Sequence, residues 1–121
     1  MIKVEGWLPI GSVVHIAGRD GLYLITGCMQ RQVDNGRLWD YLGVPYPVGL
    51  ADPKDTILFD KEGIDKVLFI GLQNSEGEQF QDFLASKEEE FQAAKTKSAE
   101  AIRDAAAGAT EDEKTTESNE G

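Results

Sequence analysis

Asp34-Asn35-Gly36 separates two runs of strand-forming residues, Leu22 to Arg31 and Arg37 to Val44. Asn-Gly tolerates positive φ at both central positions of a type I′ turn, whose twist matches that of a right-twisted hairpin. No other feature restricts the fold as much, because these two runs must pair antiparallel. Gly18-Arg19-Asp20-Gly21 supplies a second short turn just upstream. Ser12 to Ala17, rich in β-branched residues, therefore joins as the first strand of a three-stranded meander. Before it, Trp7-Leu8-Pro9-Ile10-Gly11 is an apolar lead-in broken by Pro9 and Gly11, expected to dock as an arm.

The third run leads into Asp40-Tyr41-Leu42-Gly43-Val44-Pro45-Tyr46-Pro47-Val48-Gly49. Each proline removes a ladder donor and pushes the preceding residue into extended geometry. Pairing is expected to stop near Val44, leaving a stiff, aromatic-bearing segment. The segment is either a rigid corner with Tyr46 packed on the domain or a presented recognition surface. Large aromatics dominate interface hot spots, so the partner-binding candidates are Trp7, Trp39, Tyr41, Val44, Pro45, Tyr46 and Pro47.

Downstream, Thr56 to Phe59 is a short fourth strand, and Asp60 is placed to cap one helical turn through Ile64. Lys66 to Leu72 is almost wholly apolar and reads as a fifth strand covered on both faces. Ser75 and Glu78 form a capping box. Phe80, Phe83, Leu84 and Phe91 follow at helical spacing, predicting a helix from about residue 76 with three phenylalanines on or near one face, and Phe80 or Phe83, with Leu84, in the core. The expected fold is α+β: a small curled, barrel-like antiparallel sheet of about five strands packed against a C-terminal helix. Residues 1–92 make one domain, and the Ala-rich segment 93–107 is a fraying helix that Gly108 ends. Segment 108–121 is a disordered acidic tail, expected to be dispensable for folding.

Charge is placed unevenly. The chain carries net −10; residues 1–74 hold seven basic and nine acidic side chains, and residues 75–121 hold five and thirteen. Such a surface repels phosphate backbones and anionic membranes, so neither nucleic acid nor a membrane is an expected partner. A small barrel stacking single-stranded nucleic acid on Trp7, Tyr23, Trp39, Tyr41 and Tyr46 remains an alternative, but the basic groove it needs is missing.

Catalytic signatures are also sparse. Cys28 is the sole cysteine and His15 the sole histidine, so zinc ligation lacks a ligand set and a Cys–His dyad lacks an orienting group. Asp52, Asp55, Asp60, Glu62 and Asp65 cluster around one loop without the alternation and closing glutamate that calcium requires. No glycine pattern forms a phosphate loop. The chain is expected to be no enzyme, with no catalytic, metal or cofactor-binding residues and no cofactor. The N-terminus lacks a signal-type apolar run, and a cytoplasmic location is expected.

Four blocks carry a family resemblance: Trp7-Leu8-Pro9-Ile10-Gly11-Ser12-Val13-Val14, the segment Asp40 to Pro47, Leu58-Phe59-Asp60, and Ile64 to Gly71. In order and spacing, from roughly Leu8 to Leu84, they resemble the small Gram-positive domain-of-unknown-function family 4176. That resemblance implies genes encoded beside type VII secretion toxins of the LXG class. It implies a toxin-binding accessory factor or chaperone, with the helical N-terminal region of a secreted toxin as partner. The alternative is an immunity protein that neutralises a cognate toxin.

Overall fold

In the computed structural model the described residues are 6–112, with side chains described for 6–105. Five strands form one antiparallel sheet: β1 (Val13–Ile16), β2 (Leu22–Arg31), β3 (Leu38–Tyr46), β4 (Ile57–Phe59) and β5 (Ile64–Phe69). Their spatial order is β4-β3-β2-β1-β5. One helix, α1 (Ser75–Asp112), follows. This is the expected α+β arrangement, but the sheet stays open, with β4 and β5 as its edges.

The central hairpin forms between the runs that the sequence marks, through a different turn. Gly36 alone has positive φ, at 75°, and Asn35 does not, so the turn is not type I′. Gln32 N–H donates to the Arg37 carbonyl at 2.7 Å and closes a four-residue loop. Asn35 Oδ1 accepts from Arg37 N–H at 3.0 Å. The upstream turn does use its glycines in the left-handed region, Gly18 at 84° and Gly21 at 80°.

β3 does not stop at Val44. It runs to Tyr46, with Pro45 opposite Tyr23 and Tyr46 opposite Leu22. The Pro45 carbonyl accepts from Gly49 N–H at 2.7 Å, so this residue's backbone groups point away from β2. On that outer side β4 has already ended, pairing only with Tyr41 to Gly43. The donor that proline lacks was not needed there. The Tyr46–Pro47 peptide is cis.

One face of the sheet carries the core. Trp7, Leu8, Val14, Ile25, Tyr41 and Leu84 pack together with Ile16, Phe59 and Val67. The lead-in thus docks as an arm, its Leu8 N–H donating to the Tyr41 hydroxyl at 2.9 Å. The arm's far end is held where Gly71 N–H donates to Ser12 Oγ at 2.9 Å. A Cβ at Gly71 would collide with the Ile10 carbonyl oxygen and meet the Gly11 carbonyl carbon at 3.0 Å. The obstacle is backbone and cannot rotate away. Gly71→Ala is therefore expected to cost roughly 1–3 kcal/mol as an overpacked contact, lowering Tm by about 4–8 °C per kcal/mol in thermal melting.

The helix begins one residue earlier than the capping box implies. Asn74 Oδ1 accepts from Gly77 N–H at 2.8 Å, so Asn74 is the cap and not Ser75. The expectation that Phe80 or Phe83 joins Leu84 in the core fails for both, which are 44% and 53% exposed and stack on each other at 6.3 Å. Leu84 is core, and the residues that dock continue at Glu88, Phe91, Lys95 and Ser98. The helix runs unbroken through 93–107 and past Gly108 to Asp112. The remainder of the expected acidic tail, 113–121, lies outside the described residues.

Candidate functional site

The polar half of the docking stripe meets the sheet at Asp40. This carboxylate is fully buried, a charge that demands partners. It accepts from Lys61 N–H at 2.8 Å, Gln92 Nε2 at 3.2 Å and Lys95 Nζ at 3.1 Å on each oxygen. Asp60, expected to cap the turn at residues 61–63, makes no capping bond. Its Oδ1 accepts instead from Asp40 N–H at 3.1 Å and Lys95 Nζ at 3.3 Å. Burial works against the Lys95 ammonium, but hydrogen bonding and attraction from Asp40, then Asp60, outweigh it and raise its pKa above 10.5. Nearby, Glu88 accepts from the Trp7 indole N–H and from Lys61 Nζ, whose ammonium lies 4.2 Å above the Trp7 ring. This network fastens α1 to the sheet.

The carboxylates of the loop cluster are employed singly. Asp52 accepts from Lys54 N–H at 3.1 Å, Asp60 joins the Asp40 network, and Asp65 lies 2.6 Å from His15 Nδ1. His15 and Cys28 are not a pair. β1 meets β2 at Leu24 and Tyr23, and His15 continues away from Cys28. The Cys28 thiol is pushed up to about 11, by burial first and Asp40 second, with Lys61 opposing. Native protein should therefore alkylate slowly at pH 8, with the thiolate rate rising only as pH approaches about 11. The native thiol also holds its proton longer than the unfolded one. Its contribution to stability is intact below pH 9.0 and lost as pH rises to about 11.

The opposite face of the sheet is also apolar. Cross-strand partners share a face, and the register places Phe69, Val13, Leu24 and Val44 in one row across four strands. Leu22 and Tyr46 form the next pair. None of these six joins the core cluster. A groove of about 390 Å³ opens there, lined by Val13, Leu22, Leu24, Tyr46, Leu68 and Phe69. Leu68, Phe69 and Tyr46 are 52%, 60% and 52% exposed.

The expectation that β5 is covered on both faces is thus overturned. It is an edge strand whose alternation is broken: the register with β1 shifts between Val13 and Val14 and again between His15 and Ile16. Each shift leaves one extra residue on β5, first Leu68 and then Asp65. An extra residue re-aims side chains. Leu68 joins Phe69 in the groove, and Asp65 reaches His15.

The sequence-nominated contact residues divide. Trp7 and Tyr41 lie inside the core, 8% and 0% exposed, and are not available to a partner. Val44 is buried at 7% under the open face, while Tyr46 and Pro47 are exposed at its end. Trp39 and Pro45 are half-buried and line a different cleft. Leu22, Leu24, Leu68 and Phe69 were not nominated. Leu22 and Leu24 alternate in the sequence and signal an apolar second face, whereas Leu68 is placed by a register shift.

A model of a domain-of-unknown-function family, DUF4176, matches residues 7–80. The chain belongs to this family. Comparison with curated proteins and with solved structures finds no match. The DUF4176 match begins at Trp7 and ends at Phe80, so it spans the arm, all five strands and the open groove. The docking stripe from Leu84 onward lies beyond it. Among the described residues no helix is long and apolar enough to cross a membrane.

Proposed function

We propose that this DUF4176 protein is a non-catalytic, protein-binding accessory factor that receives an amphipathic helix of its partner in the open groove. The observation that carries the reading is the second apolar face, with Leu68, Phe69 and Tyr46 left largely exposed beside Leu22 and Leu24. Apolar exposure of this kind, gathered in one concave place, marks an interaction site. Helix-in-groove recognition uses such a surface, with anchors three and four residues apart. The partner we assign is the helical N-terminal region of a secreted LXG-class toxin, on the strength of the family resemblance. The protein would then act as a chaperone or targeting factor in type VII secretion, working in the cytoplasm before export.

The test is coexpression with N-terminal and C-terminal fragments of an LXG-class toxin from the same locus. The N-terminal fragment is expected to copurify. Copurification with the C-terminal toxic domain alone would replace this reading with that of an immunity protein. Tyr46→Ala combined with Phe69→Ala should leave circular dichroism and melting unchanged, since both side chains lie outside the core. Truncated aromatic anchors cost on the order of 2–4 kcal/mol, so binding should weaken about thirtyfold or more. Undiminished copurification by a folded double variant would remove the groove from the interface.

A further inference from the structure

A second cavity, of about 500 Å³, lies on the other side of the sheet from the groove and differs from it in chemistry. Its apolar walls are Tyr23, Trp39, Pro45 and Ile57, and its rim carries Arg19 and Lys54, with Asp55 the one acid. The volume falls in the range of small-ligand and peptide pockets. In a chain of net −10 this local balance is inverted.

One rim cation is set against an aromatic wall. Arg19 lies 5.9 Å from the centroid of Tyr23, while Arg37, which does not line the cleft, covers the Trp39 ring at 3.9 Å. A guanidinium stacked by its face keeps its edge donors for a carboxylate. Lys54 is 84% exposed, and its 3.8 Å approach to Asp52 is too long for a hydrogen bond. Trp39 is fixed by another lining residue, its indole N–H donating to Gln32 Oε1 at 3.0 Å. The cleft therefore offers aromatic walls with two cations, Arg19 and Lys54, among its lining residues.

We propose that this cleft binds a short acidic, proline-containing segment of a partner polypeptide in extended form. A carboxylate sits between Arg19 and Lys54, and proline rings lie against Tyr23, Trp39 and Pro45. Aromatic-lined grooves take proline-rich segments because these are extended before they bind. A single carboxylate matches the two rim cations. A nucleotide would bring several charges against Asp55 and the acidic whole of the chain. The cleft is separate from the open groove, and either can fail without the other.

The experiment is an amide and indole chemical-shift titration of the full chain with a capped Pro-Glu-Pro-Asp-Pro peptide. The uncharged Pro-Gln-Pro-Asn-Pro peptide and a mononucleotide serve as comparisons. The acidic peptide should shift the Trp39 indole N–H and the amides of Thr56 to Leu58 saturably. Arg19→Ala with Lys54→Ala should weaken it by about tenfold or more, as loss of charge-assisted bonds does. Both side chains are exposed at the rim, and unchanged melting will show that the variant folds. Equal binding of the uncharged peptide overturns the proposal, as does preferential binding of the mononucleotide. So does a response confined to Val13, Leu24 and Phe69, or no response at millimolar peptide.

Discussion

Replacing Asp40 by alanine is expected to cost about 3–5 kcal/mol, because it strands the Lys95 ammonium in a site shaped for a carboxylate. The Lys95 side chain is 15% exposed, and Asp60, its remaining partner, stands at 3.3 Å. The same change leaves Lys61 N–H and Gln92 without their acceptor. Against a typical total of about 5–15 kcal/mol, a domain this small would be largely unfolded or close to it. Urea titration followed by circular dichroism reads the loss. A paired change, Asp40→Leu with Lys95→Met, removes both charges at similar volume and should recover much of the stability. Equal damage from the single and double variants would show that Asp40 acts through packing alone. The pair also has a pH signature. The folded pKa of Lys95 is raised, so its stabilisation is present below 10.5 and disappears as pH climbs past that value.

Trp7→Ala should be as severe. Its ring packs edge-on against Tyr41 at 5.3 Å and Phe91 at 5.9 Å, with Lys61 capping one face. Truncating a buried tryptophan costs about 3–5 kcal/mol. Here the lost ring is also the piece through which the arm and the helix touch each other. The expected result is loss of the cooperative melting transition. Phe83→Ala should remain within about 0.5 kcal/mol of the parent, because its side chain is 53% exposed. A stable Trp7→Ala protein would mean that the arm is an accessory to the core and not part of it.

The contrast between Trp7 and Phe83 marks what the sequence could express. Local periodicity placed the meander, and β2 was bounded at Leu22 and Arg31. It located the helix and its buried Leu84, but misplaced Phe80 and Phe83. The docking positions Leu84, Glu88, Phe91, Lys95 and Ser98 are spaced by three and four, yet only two of them are apolar. A search for hydrophobic residues at that spacing is drawn to Phe80 and Phe83. The usable clue was Asp40, an acid set between Trp39 and Tyr41 in a strand. Such a residue must either face water or find a cation, and Lys95 has the reach. The split of the aromatic candidates was not legible at all. Whether Trp7 or Tyr46 faces water depends on where the arm crosses the sheet, which no local pattern encodes. The groove was hidden for another reason. Its Leu68 reaches the open face through an extra residue in β5, and an apolar run looks the same with or without one.

The two register shifts in β5 have a bearing on how the molecule survives at high concentration. An unpaired edge next to an apolar face is a template on which further chains can stack into fibrils. Growth of that kind needs a straight edge with evenly repeating donors and acceptors. β5 is six residues long and irregular at both shifts, and β4 at the other edge is only three residues. Neither offers a ladder long enough to seed ordered stacking. The molecule can thus keep a sticky face uncovered while giving copies of itself no rail along which to polymerise.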